Sequence, residues 1–163
     1  MSESIIALDG LSLSISDVVR VARGGYRVEL SEKAARAVNL TAGLVKEWAS
    51  SSDVIYGITT GFGDLASVKI SPEDRGELQK NLLRSHSCGV GEPYPVDVVR
   101  AIMLLRINTL SRGYSGISLA TLKALINLLN ARIHPVIPSQ GSVGASGDLC
   151  PLSHLAVALL GDG

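Results

Sequence analysis

Aromatic side chains are scarce: one phenylalanine, one tryptophan and four tyrosines make up 4% of 163 residues. So few ring faces exclude a base-stacking surface of the kind that grips single-stranded nucleic acid. Neither sign of charge is in excess, because fifteen basic and fifteen acidic residues cancel. No basic field is therefore on offer to nucleic acid or to an anionic membrane. Only two cysteines occur, Cys88 and Cys150, with no CxxC or CxxH spacing. That excludes a disulfide framework and a zinc module, and two reduced structural thiols are expected. No apolar run approaches the roughly 18–20 residues that span a bilayer. Ser2-Glu3-Ser4 and the short Ile5-Ile6-Ala7-Leu8 lack the basic start and the length of a secretion signal. A cytoplasmic location is expected.

What is present is a 46% hydrophobic chain, long enough for one domain, 1–163, with one sizeable core. Ile5–Leu8 predicts a strand, Asp9-Gly10 a turn, and the alternation of Leu11, Leu13 and Ile15 with serine a second strand. Ser16 caps a predicted short helix, Asp17 to Arg23, ended by Gly24-Gly25. Ser31 opens a longer one with Ala35, Val38, Ala42, Val45 and Ala49 at helical spacing, running out near Ser50-Ser51-Ser52. Ser71-Pro72-Glu73-Asp74 starts a helix with Leu78, Leu82 and His86 along one side. Pro95 precedes another containing Val99, Ile102, Arg106 and Leu110. A further helix runs from Ser118 to Arg132 with Leu122, Leu125, Ile126 and Leu129 inward, and a last one from Leu152 to Leu160 stops at Gly161. The class is mainly α with a few short strands. Glycine-rich loops at 57–63 and 138–148 and a break at 88–93 are where function would sit. The apolar last helix has nothing after it to cover its face, which fits a piece of a longer chain, a split gene product or half of an obligate complex.

The loop before that helix reads QGSVGASGDLCPLSHLA, residues 140–156. If the Gly147 amide nitrogen closes on the Ala145 carbonyl carbon, a five-membered ring forms. Loss of water gives an imidazolone, and loss of the Ser146 hydroxyl as a second water leaves an exocyclic methylene, a strong electrophile. Glycine at 147 removes the Cβ that would block the approach, and the flanking glycines tolerate the bent backbone. Serine supplies the leaving hydroxyl, alanine keeps the carbonyl uncrowded, and Asp148 is placed to move protons. Asp148 also opens a helix whose N-terminus directs positive dipole charge at the ring.

Gly141–Ala156 resembles, at all sixteen positions, the signature of the aromatic amino acid ammonia-lyases and aminomutases. That resemblance implies a 4-methylidene-imidazol-5-one group (MIO) built from Ala145, Ser146 and Gly147 beside Asp148, with no external cofactor. The run from Tyr56 to Gly63, YGITTGFG, resembles the family's mobile loop and implies that Tyr56 removes the β-proton as general base. Thr59 departs from the asparagine common in the histidine lyases and is shared with some tyrosine lyases and aminomutases. Asn81–Pro93 resembles the substrate-selecting segment. Its Ser85-His86 pair follows the histidine-lyase pattern, though a tyrosine aminomutase can carry it too. His86 would hydrogen-bond the substrate imidazole, and Ser85 and Gly63 join it as substrate-binding residues. Arg106 and Asn108, also within a matching stretch, are read as structural. His134 and His154 have no ligand spacing with His86, so no metal is expected.

The resemblance covers nearly the whole chain and is nearest to the bacterial histidine ammonia-lyases, which convert L-histidine to trans-urocanate. It implies the N-terminal, MIO-bearing domain of a mainly α fold, ending before the central helical bundle. It also implies a homotetramer in the complete enzyme with sites shared between subunits, and an amino-acid substrate with no nucleic acid or membrane partner. The alternatives are a tyrosine or phenylalanine lyase or aminomutase, and a non-catalytic piece that needs a partner chain.

Overall fold

Capping chemistry decides where the first helix starts. In the computed structural model, which describes residues 4–162, Ser14 and not Ser16 is the cap. The Ser14 hydroxyl accepts the Asp17 N–H at 3.2 Å, and the Asp17 carboxylate takes the Ser14 N–H at 3.2 Å. Three residues beyond Ser16 stands Val19, which cannot complete such a box. Helix α1 is therefore Ile15–Ala22, and the strand expected over Leu11, Leu13 and Ile15 does not form. The Asp9 carboxylate instead holds the Leu11 and Ser12 N–H groups at 2.8 Å in a turn.

Strand β1 (Ile5–Leu8) pairs in parallel with β2 (Arg27–Leu30), in a register from Ile5 opposite Arg27 to Leu8 opposite Leu30. Helix α2 (Glu32–Ser50) follows, capped by Ser31 as expected, with Val38 buried and Ala35, Ala42, Val45 and Ala49 half-buried. Helix α3 (Arg75–His86) begins later than its start signal. Ser71 accepts the Asp74 N–H and donates to the Asp74 carboxylate, which makes a separate turn before the helix. Then come β3 (Val90–Pro93), α4 (Val96–Leu110), α5 (Leu119–Asn130), β4 (Pro138–Gln140) and α6 (Leu149–Leu160). β3 and β4 pair antiparallel, Val90 opposite Gln140 and Pro93 opposite Pro138, so two stretches expected as loops hold each other as a ribbon. Helix α6 starts before Leu152 because Pro151 falls in its first turn, where a missing N–H costs nothing.

The core centres on α4. Val99, Met103, Leu104, Ile107 and Leu110 pack with Leu122, Leu125, Ile126 and Leu129 of α5 and with Val21, Val28, Val38 and Leu155. One charged residue enters it. Arg100 is buried and donates to the Val21 carbonyl at 2.8 and 3.1 Å and to the Leu129 carbonyl at 3.1 Å. It thus satisfies the last-turn carbonyls of both α1 and α5, where a cation also suits the helix dipoles. Its remaining contact is His134 Nε2 at 3.1 Å. Burial, then the charges of Arg100 and Arg132, hold the His134 pKa below its ordinary value, so the ring accepts this bond as a neutral base. Among the described residues, no helix is long and apolar enough to cross a membrane.

Candidate functional site

The 141–148 loop is wound tightly by its own backbone. The Val143 carbonyl accepts the Ser146 N–H at 3.0 Å, the Ser146 hydroxyl at 2.7 Å and the Asp148 N–H at 3.2 Å. The Gly147 N–H reaches the Gly144 carbonyl at 3.0 Å, closing a 3-10 turn over Gly144–Ser146 that folds Gly147 back on the preceding peptides. Gly147 lies at φ 85°, and Asp148, which no glycine relieves, at φ 57°. A left-handed non-glycine residue costs roughly 1–2 kcal/mol, so the surrounding contacts hold a bent backbone in place. Gly141, at the root of the loop, is fixed by a neighbour: a Cβ there would come within 2.6 Å of the Cys150 sulfur.

Asp148 stands at the N-cap of α6 without capping it. Its carboxylate turns back into the loop and takes the Ser142 hydroxyl at 2.5 Å. Ala145, Ser146 and Gly147 are exposed, and no atom lies within 4 Å of where side chains on Gly144 or Gly147 would stand. The loop has room for a ring built from its own backbone, at the positive end of α6. Ser142, Gly147 and Asp148 line a cleft of about 390 Å³ together with Tyr94 and Arg106. Gly147 and Arg106 also line a second, apolar cleft of about 290 Å³ with Leu83 and Leu149. Arg106, expected to be structural, is exposed at the lip of both; its matching stretch was the only signal for this position.

Tyr56 sits elsewhere. Its hydroxyl accepts the Gly63 N–H at 3.4 Å, and its ring meets Phe62 edge-on, with centroids 5.8 Å apart. It lines a third cleft, of about 360 Å³, with Trp48, Phe62 and Tyr114. Four of the chain's six aromatic residues gather there. Thr59 is fully buried inside this loop: its hydroxyl accepts the Ile55 N–H at 2.8 Å and donates to the Asp53 carbonyl at 2.7 Å. Its role here is to pin the loop.

Ser85 and His86 end α3. His86 Nδ1 lies 2.8 Å from the Leu82 carbonyl, which can only accept, so Nδ1 carries the proton and Nε2 keeps the lone pair in the neutral ring. Ser85 Oγ stands 3.1 Å from the same nitrogen. Arg84 near the end of α3 pairs with Asp162, just past α6, at 2.8 Å, and Gly89, three residues beyond α3, donates its N–H to His154 Nε2 of α6 at 3.1 Å. His154 is thus a structural acceptor, and no group of three or more metal-ligating side chains occurs among the described residues. Leu83, one turn before His86, shares a cleft with Gly147, so α3 lies alongside the loop while Tyr56 occupies a separate cleft.

Residues 13–163 match the family described as aromatic amino acid lyase. Histidine ammonia-lyase of Streptococcus pyogenes serotype M3 is 52% identical over 159 residues, taking in 98% of this chain and 31% of that protein. The solved histidine ammonia-lyase from Trypanosoma cruzi matches with a TM-score of 0.89 at 38% identity, over 98% of this chain and 30% of that one. Tyrosine aminomutase from Streptomyces globisporus gives a TM-score of 0.90 at 37% identity, over 97% of this chain and 30% of that one. The chain spans about a third of the length of the relatives it matches. It belongs to the aromatic amino acid lyase family.

Proposed function

We propose that this chain, as one domain, carries the electrophile and part of the substrate pocket of a histidine ammonia-lyase that eliminates ammonia from L-histidine to give trans-urocanate. The observation that carries the reading is the 3-10 turn at Gly144–Ser146, closed by left-handed Gly147 and Asp148 at the start of α6. In that turn the Gly147 nitrogen bonds to the Ala145 carbonyl carbon. The Ala145 oxygen then leaves as water with the protons of the Gly147 and Ser146 nitrogens. A second water takes the Ser146 α-hydrogen and β-hydroxyl. Asp148, held by Ser142, relays these protons. The finished ring supplies an electrophile for the substrate amine.

The other residues act on the substrate itself. His86 offers its Nε2 lone pair to the N–H of a substrate imidazole, because the Leu82 carbonyl keeps the proton on Nδ1. Ser85 and Gly63 border the same substrate. Tyr56 takes the β-proton. Its separation from the loop within one chain agrees with sites shared between subunits of a homotetramer. The 52% identity to a histidine ammonia-lyase and the Ser85-His86 pair favour histidine as substrate. A tyrosine aminomutase is the second reading, supported by Thr59 and by a fold likeness as high as that to the histidine enzyme.

The test is the mass of the peptide spanning Gly141 to Leu149 in the purified chain. A deficit of two waters is expected, and the full unmodified mass would count against self-cyclisation in this chain. Side-by-side turnover of histidine and tyrosine by the complete enzyme then separates the two readings: urocanate supports the first, and β-tyrosine overturns it. The 163-residue chain alone is expected to release no urocanate.

A further inference from the structure

Cys88 and Cys150, far apart in sequence and unrelated by any motif, meet in space. Cys88 is the second residue past the end of α3, after the cap Ser87, and Cys150 is the second residue of α6. The pairing of β3 with β4 brings them together, because Val90 opposite Gln140 draws Gly89 over the first turn of α6. A Cβ on Gly89 would stand 3.3 Å from the Cys150 sulfur and 3.1 Å from His154 Nε2. On the other side, the Cys150 sulfur is wedged against Gly141. Cys88 is the residue before Gly89, and it is near enough to act on the Cys150 thiol. Cys88 is exposed and Cys150 buried, and neither is in a disulfide.

We propose that Cys88 and Cys150 are a peroxide-responsive thiol pair, closing on oxidation to an intrachain disulfide that ties the end of α3 to the first turn of α6. The division of labour follows from exposure. The exposed Cys88 sulfur attacks hydrogen peroxide; the O–O bond breaks, one oxygen stays as Cys88–SOH and the other leaves as water. The Cys150 sulfur then attacks the Cys88 sulfur. The S–S bond forms, the S–O bond breaks, and the hydroxyl departs as water with the Cys150 proton. Two thiols lose two electrons in all, and one peroxide becomes two waters. Burial pushes the Cys150 thiol up, which keeps it protonated and poorly reactive until a sulfenic acid forms beside it.

The link would join the helix that carries Ser85 and His86 to the helix that presents Asp148 and its loop, with its sulfur at the loop's root beside Gly141. The pair does not depend on which amino acid the enzyme uses, or on whether the loop cyclises.

The experiment treats the reduced, full 163-residue chain with hydrogen peroxide, blocks remaining thiols with iodoacetamide, and digests it without reductant. The expected product is one cross-linked peptide pair through Cys88 and Cys150, two hydrogens lighter than its separate reduced peptides. In C150S, Cys88 is expected to stop at a sulfenic acid that dimedone traps. In C88S, Cys150 should stay reduced at doses that convert the unsubstituted chain. A parallel reaction in urea isolates proximity, since held groups react at far higher effective concentration than groups on a flexible chain. The native chain should link about tenfold faster. Equal rates in urea and buffer would overturn the proposal. So would Cys88 passing to sulfinic acid, or linking between molecules, while Cys150 remains open to alkylation.

Discussion

Thr59 shows what a single residue can conceal. By its position in the Tyr56–Gly63 stretch it bears on the choice of substrate, yet its hydroxyl is spent entirely on the loop's backbone, between Ile55 N–H and the Asp53 carbonyl. Thr60 does similar work, accepting the Gly57 N–H at 3.2 Å and donating to the Gly61 carbonyl at 3.0 Å. Replacing Thr59 with valine keeps the shape and removes the hydroxyl, leaving the part-buried Ile55 N–H and Asp53 carbonyl without their partner. That change is expected to cost about 1–3 kcal/mol, read as a lower urea midpoint at unchanged slope, whereas Thr59→Ser should recover most of it. The residue was legible as a departure from a pattern. Its burial was not, because nothing local distinguishes a threonine that faces a ligand from one that faces its own turn.

At the scale of elements, the helices were the legible part. Ser31, Pro95 and Ser118 stand where α2, α4 and α5 begin, and the four inward residues expected of α5 are all buried. Errors gathered where two local signals compete. Ser14 and Ser16 both can cap, and only the acid at Asp17 decides between them. The short alternation Arg27-Val28-Glu29-Leu30 carries too little local signal to mark a strand, because β2 gains its meaning from β1 across the intervening helix. The ribbon of β3 and β4 has the same origin: glycine and proline announce loops, and pairing between distant segments turns part of them into strands. Arg100 is the clearest case of tertiary information, an apparently ordinary helix arginine that closes the ends of two other helices. Arg100→Met should keep the packing of the stem while orphaning the Val21 carbonyl and taking one of its donors from the Leu129 carbonyl, which keeps the Arg132 N–H at 3.3 Å. With about 1–3 kcal/mol for a buried group left unpaired, it is expected to destabilise the chain by roughly that amount, chiefly through Val21. Hydrogen exchange should then quicken first in the last turns of α1 and α5, and slow exchange there would refute the double cap.

For the whole molecule, the groups that fix these ends also fix how stability follows pH. The His134 pKa is held down by burial and by Arg100 and Arg132, so the unfolded chain takes up a proton on His134 at a higher pH than the folded one does. Stability from this source is complete above the ordinary histidine value of 6.5 and drains away as pH falls from there toward the folded value. A separate, more acidic loss belongs to carboxylates held below their ordinary 3.8: Asp9 and Asp17 by hydrogen bonds from Ser12, Leu11 and Ser14, and Asp97 by Arg23. Their contribution is present above 3.8 and disappears as the folded groups protonate. The melting temperature of the chain should therefore fall in two stages on acidification, the first beginning near pH 6.5. In His134→Gln the side-chain oxygen can still accept from Arg100 but cannot titrate. That variant should lose the first stage and keep the second. A His134→Gln profile parallel to that of the unsubstituted chain between pH 7.5 and 5 would mean that this histidine is not what links the core to pH.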